Sequence, residues 1–152
     1  MKSDISYLAG LIDGEGYIGI RAGKSYVVVV EVANNSKELM DWLVNNFGGT
    51  VYNRGGARPN EELGYSWRIS SKVDIAKLLP WVVSELIVKR VHAEVMLSFC
   101  ARFNIGKNNV YSEDDRNLMA MYAQCMKILN SKGPGSNDAK AAIKELLRRP
   151  YE

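Results

Sequence analysis

Glu15 stands between Gly14 and Gly16, where an apolar helical run gives way to a tyrosine-led strand. The C-terminal end of a helix carries the negative end of its dipole, so a carboxylate there is disfavoured unless a cation sits on it. In the same run, Ala9 and Gly10 lie in mid-helix, where small residues weaken the helix but let another backbone approach closely. A second group with chemical potential is basic. Residues 51–72 carry Arg54, Arg58, Arg68 and Lys72 against Glu61 and Glu62, whereas residues 1–50 carry four basic and six acidic side chains. Charge of one sign collected on one strand pair suits a phosphate-facing surface, although taken alone it reads equally as a solvated face. The lone His92 has no cysteine or histidine at zinc-ligand spacing, and Cys100 and Cys125 sit far apart in apolar helical patterns. Buried free thiols of a reducing compartment are the expected reading.

The chain around these residues is long enough, at 152 residues, for one domain with a real core. Its 47% hydrophobic and 24% charged residues are those of a soluble globular protein, and a net charge of +3 is too mild to establish a nucleic-acid partner by itself. Helical spacing predicts a first helix over about 5–13, capped by Ser3 or Asp4, with Tyr7, Leu8, Leu11 and Ile12 as its apolar face and Ala9, Gly10 and Asp13 on another side. Residues 17–21 alternate as a strand, residues 22–25 turn, and the β-branched run 26–32 gives the strongest strand signal. Parity points Val28, Val30 and Val32 one way and Ser25, Val27, Val29 and Glu31 the other. Asn34-Asn35-Ser36 breaks the strand and caps a helix over about 37–47, which Gly48-Gly49 ends. Strands follow at 50–54 and 65–70, joined by a long loop. A short helix over 72–79 is expected to stop before Pro80, and a longer one to span 88–104. After a polar link, Ser112 caps a helix reaching about 129, whose Met119, Met121 and Met126 read as core filling. A linker at 131–136 leads to a marginal basic helix over 139–149, suited equally to solvent or to a DNA backbone.

The stretch Leu8-Ala9-Gly10-Leu11-Ile12-Asp13-Gly14-Glu15-Gly16 resembles the LAGLIDADG motif of homing endonucleases, and the order α-β-β-α-β-β-α followed by helices matches that family. The resemblance implies an α+β fold in which four antiparallel strands form a curved saddle with helices on its convex face. It implies an endonuclease domain over 1–131, with 132–152 as linker and C-terminal helix of the same fold. A single motif implies a homodimer whose motif helices meet at the two-fold axis through Ala9, Gly10 and Asp13, reading a palindromic or near-palindromic double-stranded DNA site.

Hydrolysis of DNA needs an activated water, an electrophilic partner for the phosphate and a stabilised leaving oxygen. The resemblance implies that Mg²⁺ serves these needs, held by Glu15 and the Gly14 carbonyl, with Mn²⁺ as a substitute and Ca²⁺ binding without cleavage. The family's usual acid at this position is Asp, so Glu15 is longer by one methylene. Lys89, in the stretch Leu86-Ile87-Val88-Lys89-Arg90, matches the family's pocket lysine. Asn34 matches its polar water-ordering position and Lys37 the basic residue after it, with Asn35, Ser36 and Glu38 as rivals at one or two residues' shift. Both strands would be cut across the minor groove, leaving short 3′ overhangs. Parity and the resemblance together place Tyr17, Gly19, Arg21, Ser25, Val27, Val29, Glu31, Tyr52, Arg54, Ser66 and Arg68 on the DNA-reading face, with Arg58 in the loop beside it. Arg21, Arg54 and Arg68 suit guanine, Glu31 cytosine, and Val27 and Val29 thymine methyls, unless the register slips by one residue and inverts the set.

The rival is a relative that keeps the fold without cleaving, as an intron RNA-splicing maturase or a DNA-binding regulator; intact Glu15 and Lys89 favour the enzyme. No small-molecule substrate or membrane is implied. Residues 1–16 lack the pattern of a signal peptide, and an intron-encoded protein of a prokaryotic cytoplasm or an organelle matrix is expected.

Overall fold

The computed structural model describes residues 2–55, 64–103, 110–132 and 137–148, with side chains through 145. Its elements run α1 (Lys2–Glu15), β1 (Gly16–Arg21), β2 (Val27–Asn34), α2 (Lys37–Phe47), β3 (Thr50–Arg54), β4 (Gly64–Ile69), α3 (Lys72–Val82), α4 (Arg90–Phe103), α5 (Glu113–Leu129) and α6 (Asn137–Arg148). The four strands form one antiparallel sheet in the order β1-β2-β4-β3. The fold is therefore the α+β arrangement that the motif and element order imply.

Alternation decides which face of the sheet is covered. Ile18, Ile20, Val28, Val30, Val32, Trp67 and Ile69 join the buried side chains of the helices in a single core. Leu8 and Ile12 of α1 are fully buried there, and each such aliphatic side chain contributes about 2 kcal/mol. Trp67 is fully buried too, and its indole N–H donates to the Gly48 carbonyl at 2.7 Å, which ties β4 to the end of α2. The edge strand β1 is held from outside the sheet: the Asn130 amide, just past α5, donates to the Ile18 carbonyl at 2.9 Å.

Several local expectations need correction. Helix α1 starts at Lys2, so Ser3 and Asp4 lie in its first turn and do not precede it. Helix α3 runs through Pro80 to Val82. A proline this close to the end forfeits one hydrogen bond, while the burial of Leu79 and Val82 and the Val83 N–H donated to Leu79 at 2.8 Å carry the last turn. Lys72 does not face the basic strand pair. Its ammonium sits 3.2 Å from the Phe103 carbonyl at the C-terminal end of α4, where a cation is favoured. Met119 and Met126 are core, but Met121 is 64% exposed. Ser112 caps α5 as expected, in a reciprocal box with Asp115. The long loop before β4, including Arg58, lies outside the described residues, as does Arg149.

Cys100 and Cys125 are free, and burial pushes both thiols up, that of Cys100 to about 11. His92 is buried between α4 and the end of α5, with its Nε2–H donating to the Leu129 carbonyl at 3.1 Å and its Nδ1 unbonded among the described residues. Burial lowers its proton affinity; the Leu129 bond opposes this, while Lys89, Lys140 and Lys144 reinforce it. The folded state therefore favours neutral imidazole. Its stabilisation is fully present above the unfolded value of about 6.5 and is lost as pH falls through the lower folded value. Urea unfolding at pH 7.5 and pH 5 is expected to show a lower midpoint at pH 5, and His92→Gln to flatten part of that difference. Equal pH slopes in the two proteins would refute this assignment.

Candidate nucleic-acid interface and acidic site

The site begins with the turn from α1 into β1. A methyl at Gly16 would lie 2.5 Å from the Ile12 Cα, so only glycine lets the strand leave so close to the helix. This tight exit leaves Gly14 and Glu15 exposed at the C-terminal end of α1. The Glu15 carboxylate is held there: the Asn34 amide, at the end of β2, donates to its Oε2 at 2.8 Å. The Asn34 Oδ1 accepts from the Ser36 N–H at 2.8 Å, which turns the chain into α2. Of Asn34, Asn35, Ser36 and Glu38, Asn34 is thus the one bonded to Glu15, and Ser36 is the helix cap, accepting from the Leu39 N–H. Lys37 goes elsewhere. It is exposed and pairs with Asp41 one turn on at 3.0 Å, which raises its proton affinity.

Asp13 has a role that sequence reasoning missed. Its carboxylate accepts from the backbone N–H groups of Ile87 (2.8 Å), Val88 (3.1 Å) and Lys89 (2.9 Å). The chain enters α4 here, and the Ala93 N–H bonds back to the Lys89 carbonyl, so Asp13 caps α4 from more than seventy residues away by taking the N–H of its N-cap, Lys89, together with the N–H groups of the two residues before it. The Lys89 ammonium returns the contact, donating to the Asp13 carbonyl at 3.1 Å. One cation thus already sits on the carbonyl end of α1. Burial pushes the Lys89 ammonium below the usual lysine range, and Asp13 opposes that shift.

The expected interface set of Ala9, Gly10 and Asp13 therefore divides. Ala9 is buried in the chain's own core and Asp13 is committed within the chain. Gly10 is exposed, and a Cβ added at Gly10 or at Gly14 would meet nothing within 4 Å. These two glycines stand four residues apart, on one face of the helix with the half-exposed Tyr7.

The uncovered face of the sheet carries the expected residues. Register places Tyr17, Glu31, Arg68 and Thr50 in one row, Ser66 with Tyr52, and Arg21 with Val27. The parity expectation therefore holds. It omitted Thr50, which the same alternation through 50, 52 and 54 would have found. Arg21, Val27, Tyr52 and Arg54 are exposed, and Ser25 lies in the exposed turn between β1 and β2. Three members cannot touch a ligand as they stand. Val29 and Ser66 are buried, and Gly19 is covered by the Tyr17 phenol, which a methyl at Gly19 would overlap. Glu31 is not a free acceptor either: its Oε2 lies 2.9 Å from Arg68 Nε and 3.6 Å from an Arg21 terminal nitrogen.

Among the described residues no group of three or more acidic, histidine or cysteine side chains could hold a metal by itself. What α1 offers is one restrained carboxylate, in Glu15, beside the backbone carbonyl of the exposed residue Gly14. A hard cation that keeps most of its waters and uses one or two carboxylates fits that donor set. No helix of the described residues is long and apolar enough to cross a membrane.

Comparison with known proteins converges on the same elements. The family model described as a LAGLIDADG-like domain matches residues 3–80. The homing endonuclease I-CvuI, solved in complex with its target in the presence of calcium, is similar over 95% of both chains at 16% identity, with a TM-score of 0.69. The archaeal intron-encoded homing endonuclease I-Vdi141I, solved with DNA, covers 94% of this chain and 96% of its own at 14% identity and a TM-score of 0.72. The LAGLIDADG meganuclease I-AabMI, bound to uncleaved DNA, matches 93% of this chain with only 49% of its own length, at 18% identity and a TM-score of 0.65. At these identities the likeness is one of fold.

Proposed function

The chain belongs to the family of LAGLIDADG-like domains, and we propose that it is a site-specific DNA endonuclease that works as a homodimer with Mg²⁺. The observation that carries this reading is the grouping at the end of α1, where a carboxylate restrained by Asn34 and the Lys89 ammonium stand beside a sheet face rich in arginine and tyrosine. A structural or merely binding domain has no use for an exposed acid between two glycines, fixed in place by a neighbouring amide.

Each residue then has a defined part. Glu15 and the Gly14 carbonyl would hold Mg²⁺, which when bound supplies an activated water, polarisation of the phosphate and neutralisation of the leaving oxygen. Asn34 keeps the carboxylate from turning away. The Lys89 ammonium provides positive charge close to where charge develops on the phosphate, and its partial burial strengthens that effect. The open sheet face binds the duplex, with Arg54 and Tyr52 on its β3 side and Arg21 on its β1 side. Gly10 and Gly14 let a second copy of α1 pack closely, so that two sets of Glu15 and Lys89 face two strands. This revises the small-residue contact from Ala9 and Gly10 to Gly10 and Gly14. The given chain spans about half the length of the meganuclease chain that it matches.

Incubation with a randomised duplex library and Mg²⁺ is expected to yield cleaved molecules sharing one near-palindromic site, and sedimentation of the protein to give the mass of a dimer. Wild-type protein that leaves every duplex intact would refute the nuclease reading. A monomer at micromolar concentration would refute the pairing of α1 with its copy. Replacing Gly10 by Leu should weaken the dimer without unfolding the chain, since the site is open in the single subunit.

A further inference from the structure

The open face of the sheet is pre-arranged around Glu31. Gly19 lacks a side chain, so the Tyr17 ring lies along β1 over it. The Arg21 guanidinium stacks on that ring, 5.4 Å from its centroid, and reaches toward Glu31 on β2. From the other side, the Arg68 guanidinium stacks 4.9 Å from the centre of the Tyr52 ring and places its Nε 2.9 Å from the same carboxylate oxygen. The Arg68 Nε–H donates to the Ser66 hydroxyl at 3.2 Å. Glu31 Oε2 is buried and accepts no hydrogen bond among the described residues, so it holds both arginines by charge. One carboxylate thus serves two cations on different strands, each backed by an aromatic ring.

We propose that Glu31 reads no base itself and is a positioning residue that aims Arg21 and Arg68 at two guanines of the target duplex. This rests on the reading of the open face as the DNA-binding surface. With its Nε turned to Ser66 and Glu31, Arg68 keeps both terminal nitrogens without a hydrogen-bond partner among the described residues, and that pair is the edge that engages guanine O6 and N7. Arg21 is held more loosely, by a terminal nitrogen at 3.6 Å, and is the more exposed of the two. Arg68 should therefore impose the sharper preference. Removing the charge at Glu31 would free both guanidiniums at once, so two base positions that no single side chain spans would lose specificity together.

The test is duplex-library selection by binding in Ca²⁺, comparing wild type with Glu31→Gln, Arg21→Ala, Arg68→Ala and the Glu31→Gln/Arg68→Ala pair. Each arginine variant is expected to flatten guanine preference at one position, by about 5-fold or more. Glu31→Gln should flatten both positions while keeping overall affinity, because it removes negative charge from a phosphate-facing surface. The double variant should match Arg68→Ala at that arginine's position. Ser66→Ala, which keeps the fold but removes the Nε acceptor, should loosen only the Arg68 position. A Glu31→Gln effect confined to a cytosine that the arginine variants leave untouched would overturn the proposal in favour of direct readout, and so would unchanged preferences. Wild-type protein that selects no duplex at all would instead sink the underlying DNA-binding reading.

Discussion

Glu15→Gln is expected to abolish cleavage while leaving DNA binding intact. The amide keeps the shape of the side chain and one oxygen for the Asn34 amide at 2.8 Å, so the end of α1 should not rearrange. What it loses is the negative charge that, beside the Gly14 backbone oxygen, would anchor a hard divalent ion. Metal assistance supplies several kcal/mol of transition-state stabilisation, and a loss of about 4 kcal/mol is a fall of about three orders of magnitude in rate. Binding should hold or improve, because a negative charge leaves a surface that faces phosphates. Cleavage assays in Mg²⁺ beside gel-shift titrations in Ca²⁺ separate the two effects. Glu15→Asp is the informative companion: it restores the family's usual acid and should retain activity, with a changed dependence on metal concentration. Undiminished cleavage by Glu15→Gln would remove Glu15 from the chemistry.

Asp13→Ala should damage both stability and rate, although Asp13 touches no reacting group in the proposed mechanism. Its carboxylate accepts three backbone N–H groups where the chain enters α4. The first two of these N–H groups are exposed and water can replace the lost acceptor, so the expected cost is that of a strong helix cap, about 2 kcal/mol. For a chain of this size that is about 4–8 °C in melting temperature. The same substitution releases the segment that carries Lys89, whose ammonium is otherwise placed at the end of α1. A displacement of that charge by about 1 Å is enough to lower cleavage about 100-fold. Thermal melts and single-turnover cleavage on the folded protein measure the two losses separately. A variant that melts like the wild type would refute the capping role, and one that cuts normally would refute the coupling of Asp13 to Lys89.

These two neighbours in one motif differ in how far the sequence could reveal them. Glu15 announces itself, because an acid flanked by glycines at a helix exit conflicts with local electrostatics and so asks for a cation. Asp13 looks like an ordinary polar residue on a helix. Its three partners lie 74 to 76 positions away, and nothing in local spacing encodes a contact of that range. The neighbouring lysine could be placed by its resemblance to a family stretch, but the carbonyl it rests on could not.

The sheet shows the same division. Alternation along 17–21, 27–33, 50–54 and 64–68 correctly assigned the two faces, because side-chain direction reverses at every residue of a strand whatever its neighbours are. It could not say that Val29 and Ser66 are buried on the open face, or that Gly19 serves the Tyr17 ring, since these depend on which strand lies alongside and what its side chains cover. Pro80 does not end α3 for a related reason: the local penalty of proline is outweighed by the burial of Leu79 and Val82 in a core that only the packed chain creates.

By itself, then, the sequence determined the element order, the face of each strand and the acid at the end of the first helix, all of which follow from residue type and short-range periodicity. The tertiary structure alone decided that Asp13 caps α4, that Asn34 restrains Glu15, and that Glu31 draws Arg21 and Arg68 together. Those contacts join segments distant in the chain, and they exist only once the sheet has paired and the helices have closed over one side of it.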